Sequence, residues 1–229
     1  MVTVTPRQGE RLQDTATLVT AIRQAILVGE FNPGQRLIES ELSQRFQASR
    51  GTVREALALL ENEGLAAREA NRGAWVRPVS KDEAIEITEV RAVLEGLCAA
   101  RAATRASVAD RKTLRELGTA MQAAVKRGDV VTYSEVSQEV HLRIREISGQ
   151  GTAADVLNRL RYQSVRYQFS VALLPGRPSV GLKEHLAIIK AVTSGQADVA
   201  EHTMREHLES VIGAIAELPE TLPVLRRVV

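Results

Sequence analysis

Residues 47–65, QASRGTVREALALLENEGL, constrain the fold of this chain more than any other stretch. Ser49 is suited to cap a helix, because its hydroxyl can accept a hydrogen bond from an unpaired amide of the first turn. Val53, Ala56, Leu57 and Leu60 recur at i, i+3, i+4 and i+7, one apolar face of a helix. Gly64 follows, free to turn left-handed where a helix stops. Arg50 and Arg54 lie one turn apart on another face, at the end where the helix dipole is positive. The dipole serves cations poorly there. A polyanion against that end would meet free amides and guanidinium groups together. Alone, the stretch reads equally as an amphipathic helix with two solvated arginines.

The flanks decide between these. Residues 38–46 form a short helix with Leu42 and Phe46 on one face, and a three-residue connection leads into the Ser49 helix. That is a helix-turn-helix arrangement. After Gly64, apolar–polar alternation around Asn71-Arg72-Gly73 predicts a two-stranded hairpin with Arg72 at its tip. A helix-turn-helix followed by a basic hairpin is a winged helix. The pattern Pro33-Gly34, Leu37, Glu41-Leu42, Ser49-Arg50, Val53-Arg54-Glu55-Ala56-Leu57, Glu61, Gly64-Leu65 and Arg72-Gly73 resembles the GntR family of bacterial transcription regulators. It departs at Gly51-Thr52, where many members carry Thr-Pro. The resemblance implies DNA contacts from Ser49, Arg50, Gly51, Thr52, Arg54, Arg72 and Gly73. Arg50 and Thr52 are the base-reading candidates, and Ser49, Arg54 and Arg72 the phosphate or minor-groove contacts.

Bulk charge does not single out this half. The whole chain carries a formal net charge of +2, and residues 1–80 hold ten basic residues against nine acidic ones. Position is more telling, since Arg45, Arg50 and Arg54 fall in residues 42–54, where no acid occurs. No apolar run is long enough to span a membrane and no signal-peptide core is present, so a cytoplasmic protein without a membrane partner is expected. Cys98 is the single cysteine, which excludes an internal disulfide and suits a reducing compartment.

Along the chain, residues 1–13 read as a polar arm. Asp14 caps a first helix with Leu18, Val19, Ile22, Ile26 and Leu27 inward. Ser80-Lys81-Asp82-Glu83 has the form of a capping box and marks a domain boundary. It opens a helix to about residue 103, with Ile85, Ile87, Val90, Leu94 and Leu97 as its apolar positions. Five more helices follow, over 108–126, 129–148, 153–173, 179–194 and 197–218, with Ser107, Asp129 and Ser179 as caps. The fold class is therefore mainly α: an N-terminal winged helix-turn-helix over 1–79, an all-α six-helix bundle over 80–218 and a tail over 219–229. There is no phosphate-binding glycine loop, nucleophile elbow or cysteine-based metal knuckle.

All four histidines lie in the bundle. His141 shares the apolar stripe of Val140 and Ile144, His185 that of Leu182, Leu186 and Ile189, and His207 that of Met204, Leu208 and Val211. His202 is five residues from His207, about 140° round the helix, among Arg205, Glu206 and Glu209. One inward histidine is usually a hydrogen-bonded core residue. Three from separate helices each need partners in a dry interior, and one shared divalent cation would satisfy them all.

The bundle resembles the FCD effector domain of one branch of GntR regulators, and its six helices resemble the VanR-like subgroup. Ser137-x-x-x-His141, Glu184-His185 and Met204-Arg205-Glu206-His207 carry the likeness, with Arg91 and Glu95 matching an Arg-x-x-x-Glu pattern. The resemblance implies zinc or nickel on His141, His185 and His207, and a small carboxylate effector near Arg91 and Glu95. Ser137 stands where a carboxylate or carboxamide is usual. Serine is a weak ligand, so metal binding should be weaker than usual. The expected function is a ligand-responsive regulator that binds a pseudo-palindromic operator as a homodimer, with no enzymatic activity. A three-histidine metalloenzyme with an accessory winged helix is the alternative, with Glu95 its one nameable base. A nucleoid-type DNA binder without a ligand is a third.

Overall fold

The computed structural model describes residues 14–27, 29–69 and 73–219. The arm expected over 1–13, the hairpin tip with Arg72 and all but the first residue of the tail lie outside the described residues, as does the side chain of Leu27. The chain divides between residues 79 and 80 into two units.

The first unit holds α1 (Thr15–Leu27), β1 (Arg36–Leu37), α2 (Glu39–Phe46), α3 (Arg50–Asn62), β2 (Ala66–Glu69) and β3 (Gly73–Val76). Asp14 caps α1, its carboxylate accepting from the amide of Thr17 at 3.0 Å. Leu18, Val19, Ile22 and Ile26 of α1 are buried, as are Leu42 and Phe46 of α2 and Val53, Ala56, Leu57 and Leu60 of α3. The periodic residues thus form one core under the helix pair. At the end of α3, Gly64 takes φ +71°, the left-handed turn that a side chain would strain. The hairpin pairs β2 with β3 from Ala66↔Val76 to Glu69↔Gly73. β1 was not expected. It adds antiparallel to β3 through Arg36↔Trp75 and Leu37↔Ala74, making a three-stranded sheet in the order β1-β3-β2. Two residues give no period to read, so only the partner strand reveals β1.

The second unit holds α4 (Lys81–Arg105), α5 (Val108–Arg127), α6 (Val130–Ser148), α7 (Gly151–Ala172), α8 (Arg177–Thr193) and α9 (Ala197–Ala216). Ser80 caps α4 by accepting from the amide of Glu83. The full reciprocal box forms at α5, between Ser107 and Asp110. Asp129 caps α6 through the amide of Thr132. Ser179 does not cap α8. That helix starts two residues earlier, after Gly176 in the left-handed region, with Pro178 in its first turn, where a missing N–H costs nothing.

α4 also departs from expectation. Its buried face carries Ala84, Ile87, Thr88, Arg91, Ala92, Glu95, Gly96, Cys98, Ala99, Ala102 and Ala103. Val90 and Leu97, expected inward, are exposed, and so is Val93. The reason is the packing against α9, the most extensive helix contact of the bundle. Gly96 faces Arg205 and Glu201 so closely that a Cβ would lie 3.0 Å from the Arg205 side chain. Small residues permit that approach, and larger apolar ones are turned away from it. Leu114, Met121, Ile144, Leu157, Ile188 and Met204 fill the remaining core. Among the described residues, no helix is long and apolar enough to cross a membrane.

Candidate functional site

Three imidazoles meet inside the second unit. His141 comes from α6, His185 from α8 and His207 from α9, all buried. One ligand atom from each lies within 4.8 Å of the other two. His202 lies outside this group, on the surface, 3.3 Å from Glu206.

What holds each ring fixes its chemistry. His141 Nδ1 is hydrogen-bonded to Glu95 Oε2 on α4. His207 Nδ1 lies 2.7 Å from Glu184 Oε2 on α8. His185 Nδ1 lies 2.6 Å from the carbonyl oxygen of Gly181, one turn back on its own helix. All three partners are oxygens that accept a hydrogen bond from N–H, so Nδ1–H is the tautomer they select and Nε2 carries the lone pair. Arginines hold the two carboxylates. Arg91 donates from Nε and Nη2 to Glu95 Oε1 at 3.0 and 2.8 Å. Arg177 forks onto both oxygens of Glu184 at 3.1 and 3.0 Å. Two Arg–Glu–His relays and one backbone carbonyl thus aim three nitrogens at one point.

The electrostatics of the site agree with this. Burial pushes the His185 imidazole well below its ordinary range, with His207 and His141 adding to the effect. Burial likewise lowers His207 to about 4, although Glu184 opposes the shift. Burial alone would raise Glu184; hydrogen bonds from His207 and Arg177 outweigh it and bring the carboxyl down to about 2. Glu95 is held well below the usual carboxylate range, since His141 and Arg91 outweigh its burial. A neutral His185 held by a carbonyl and a neutral His207 backed by an ionised Glu184 are the state a metal ligand needs.

The donor set fits a divalent cation. His185 Nε2 and His141 Nε2 lie 3.3 Å apart. With both Nδ1 atoms protonated, two lone pairs face each other, which is repulsive without a cation between. Nitrogens bound at ~2.1 Å to one ion lie roughly 3–3.5 Å apart. Ser137 completes the group, its hydroxyl 3.0 Å from His185 Nε2. It sits one turn before His141, so the serine noted in the sequence does reach the cluster.

The cluster opens on a cavity of about 70 Å³, bordered among others by Arg91, Ser137, His141, Arg145, His185 and His207. Glu95, expected to bind an effector, does not border it, and both its oxygens are taken by Arg91 and His141. Its observed place is behind the histidine. Arg145 and Gly181 were missed in the sequence. Arg145 follows His141 by one turn, a spacing that could have flagged it. A glycine inside a helix, as at 181, implies a close approach, and here a Cβ would collide with the Tyr133 hydroxyl.

In the first unit, Ser49, Arg50, Gly51, Thr52 and Arg54 lie at the start of α3 and Gly73 at the start of β3, while Arg72 lies outside the described residues. Ser49 caps α3 by accepting from the amide of Thr52 at 3.1 Å, and the two hydroxyls lie 2.8 Å apart. Arg50 is exposed and has no ion pair or side-chain hydrogen bond among the described residues. Arg54 reaches Glu39 on α2 at 3.1 Å, on the surface. Gly51 is exposed and its Cβ would meet only the Ser49 hydroxyl, at an ordinary 3.6 Å. Gly73 opens β3 at φ +77°.

Comparison with known proteins places both units. Residues 15–76 match the family model described as bacterial regulatory proteins, gntR family, and residues 86–210 match the FCD domain. The chain belongs to the GntR family. Among relatives of this GntR-family chain is the HTH-type transcriptional repressor RspR of Escherichia coli, 27% identical over 188 residues, covering 81% of this chain and 82% of RspR. Another is the Uxu operon regulator of Haemophilus influenzae, 29% identical over 223 residues, covering 87% and 80%. The fold of the E. coli protein McbR/YncC matches this regulator with a TM-score of 0.76 at 20% identity, covering 89% of this chain and 97% of that one.

Proposed function

We propose that this GntR-family protein is a homodimeric, effector-responsive transcription regulator, whose α3 reads a pseudo-palindromic operator. Its FCD domain holds a divalent cation, zinc or nickel, on His141, His185 and His207, with Ser137 as a weak fourth ligand. The observation that carries the effector site is the convergence of three imidazoles, one nitrogen of each within 4.8 Å of the other two, whose Nδ1 atoms already have partners. When bound, the cation supplies Lewis acidity toward a small carboxylate. The chain supplies shape and charge: Arg91 keeps Nη1 buried and unpartnered beside the cavity, and the Arg–Glu–His relays keep the rings in one orientation. Glu95 acts here as the positioning residue of His141.

At the DNA, Arg50 is the principal base reader, because its guanidinium is uncommitted. Thr52 spends its hydroxyl on Ser49 and keeps its methyl for thymine. Arg54 exchanges its pair with Glu39 for a phosphate at little cost, since exposed pairs are worth under ~1 kcal/mol. Arg72 and Gly73 bring the hairpin to the backbone.

Self-association is supported by the outer face of α4. Glu86, Val90, Val93, Leu97, Ala100 and Thr104 recur at alternating intervals of four and three, the seam of two packed helices. Val90, Val93 and Leu97 are 49%, 51% and 37% exposed. An antiparallel copy that sets Val90 against Leu97 sets Glu86 against Arg101, four residues beyond each, so the pairing is self-complementary under a twofold axis.

An enzymatic reading lacks support: the relatives reported above are regulators, and no carboxylate borders the cavity among the described residues. The test is selection of a bound duplex from a random pool, followed by titration of metal-loaded and chelated protein with small carboxylic acids. Operator affinity that is unchanged by metal and by every acid would refute the effector site.

A further inference from the structure

Among the described residues four arginines border the cavity, Arg91, Arg145, Arg161 and Arg177, and they are not alike. Arg161 donates to the side-chain oxygen of Gln138. Arg91 is neutralised by Glu95 and Arg177 by Glu184, each through two hydrogen bonds. Arg145 has no such partner. It is 3% exposed, yet its Nε and Nη2 meet no hydrogen-bond acceptor. Glu95 feels its charge through space, but both Glu95 oxygens are already taken. A buried guanidinium with idle donors destabilises the fold unless an anion completes it. The described residues supply none, and we take the anion to come from outside.

Its place relative to the histidines is set by α6. Ser137, His141 and Arg145 succeed one another by one helical turn and border the same cavity. A volume of about 70 Å³ holds only a few water-sized groups, so the space admits a compact ligand and no more. Two charge requirements therefore share a short space: an open position at the three histidines, and an unmatched guanidinium one turn along.

Resting on the effector site proposed above, we infer that the effector is a compact dicarboxylate. One carboxylate meets the histidine-bound cation and the other is held by Arg145, with Arg91 Nη1 as a further donor. About one or two carbons separate them. A monocarboxylate leaves Arg145 unpaired, and a single dianionic centre such as phosphate cannot reach both places.

The test uses the full-length, zinc-loaded protein and calorimetric titration with malonate, succinate, acetate and inorganic phosphate. Malonate or succinate should bind about tenfold to a hundredfold tighter than acetate or phosphate, the worth of a charge-assisted hydrogen bond. Arg145→Gln should erase that advantage while leaving acetate affinity within about threefold. Arg145→Lys should restore part of it, as a point charge without the fork. The thermal midpoint of ligand-free Arg145→Gln should equal or exceed the parent's, since a buried unpaired charge has been removed. Acetate binding as well as malonate, with Arg145→Gln neutral to both, would overturn the dicarboxylate inference and leave the effector site standing. No binding of any probe would remove both, and tighter binding of phosphate than of either diacid would overturn the two-point geometry.

Discussion

Glu95 shows how a residue can matter to a centre it does not line. Its carboxylate fixes the proton of His141 on Nδ1 and is itself fixed by Arg91. Glu95→Gln should lower metal affinity about 10–100-fold, as loss of such backing partners does, read by competition with a chromogenic chelator. Ser137→Asp should tighten binding instead, since a charged oxygen would replace a hydroxyl 3.0 Å from His185 Nε2. Alanine at His141, His185 or His207 should remove most bound metal by elemental analysis, and His202→Ala should remove none. Equal metal in all four variants would eliminate the site. The three inward histidines were legible because a 3.6-residue period separates them from His202. Arg145 was legible only in its spacing, one turn after His141: an arginine on a helix otherwise reads as solvated, and only the bundle shows that it is enclosed. The spacing of Arg91 and Glu95 was visible, but their partner on α6 was not.

At the scale of elements, α3 combines a cap and a reader. Ser49→Ala removes the bond to the Thr52 amide and should cost about 1 kcal/mol of stability, seen in the denaturation midpoint. Arg50→Ala should leave stability alone and cost about 1–3 kcal/mol at the selected operator, with less loss on random duplex. Equal losses on both would reassign Arg50 to the phosphates. The seam of α4 gives an independent prediction. Glu86→Arg should weaken the dimer in sedimentation, and Arg101→Glu added to it should restore the dimer. Periodicity located α4 but not its inward face, because alanine and valine both count as apolar while only the smaller fits against α9. β1 escaped for the opposite reason: too short for any pattern, it exists by pairing with β3.

For the whole molecule, the cation would tie α6, α8 and α9 through one atom each. Chelation should therefore lower the thermal midpoint, and adding zinc back should restore it; His207→Ala should show neither response. α4 is the element that links the rest. Over 25 residues it presents Arg91 and Glu95 to the histidines on one side, and Val90, Val93 and Leu97 outward on the other. Anything that shifts Arg91 also shifts Val90, its neighbour in the chain. A ligand drawn to the inner side therefore acts on the same rod as a second copy on the outer side, and the influence must run both ways by the same factor. Effector affinity then becomes a function of protein concentration: titrations at nanomolar and micromolar regulator should give different dissociation constants. The cell's own abundance of this regulator would thus help set the metabolite level at which it responds.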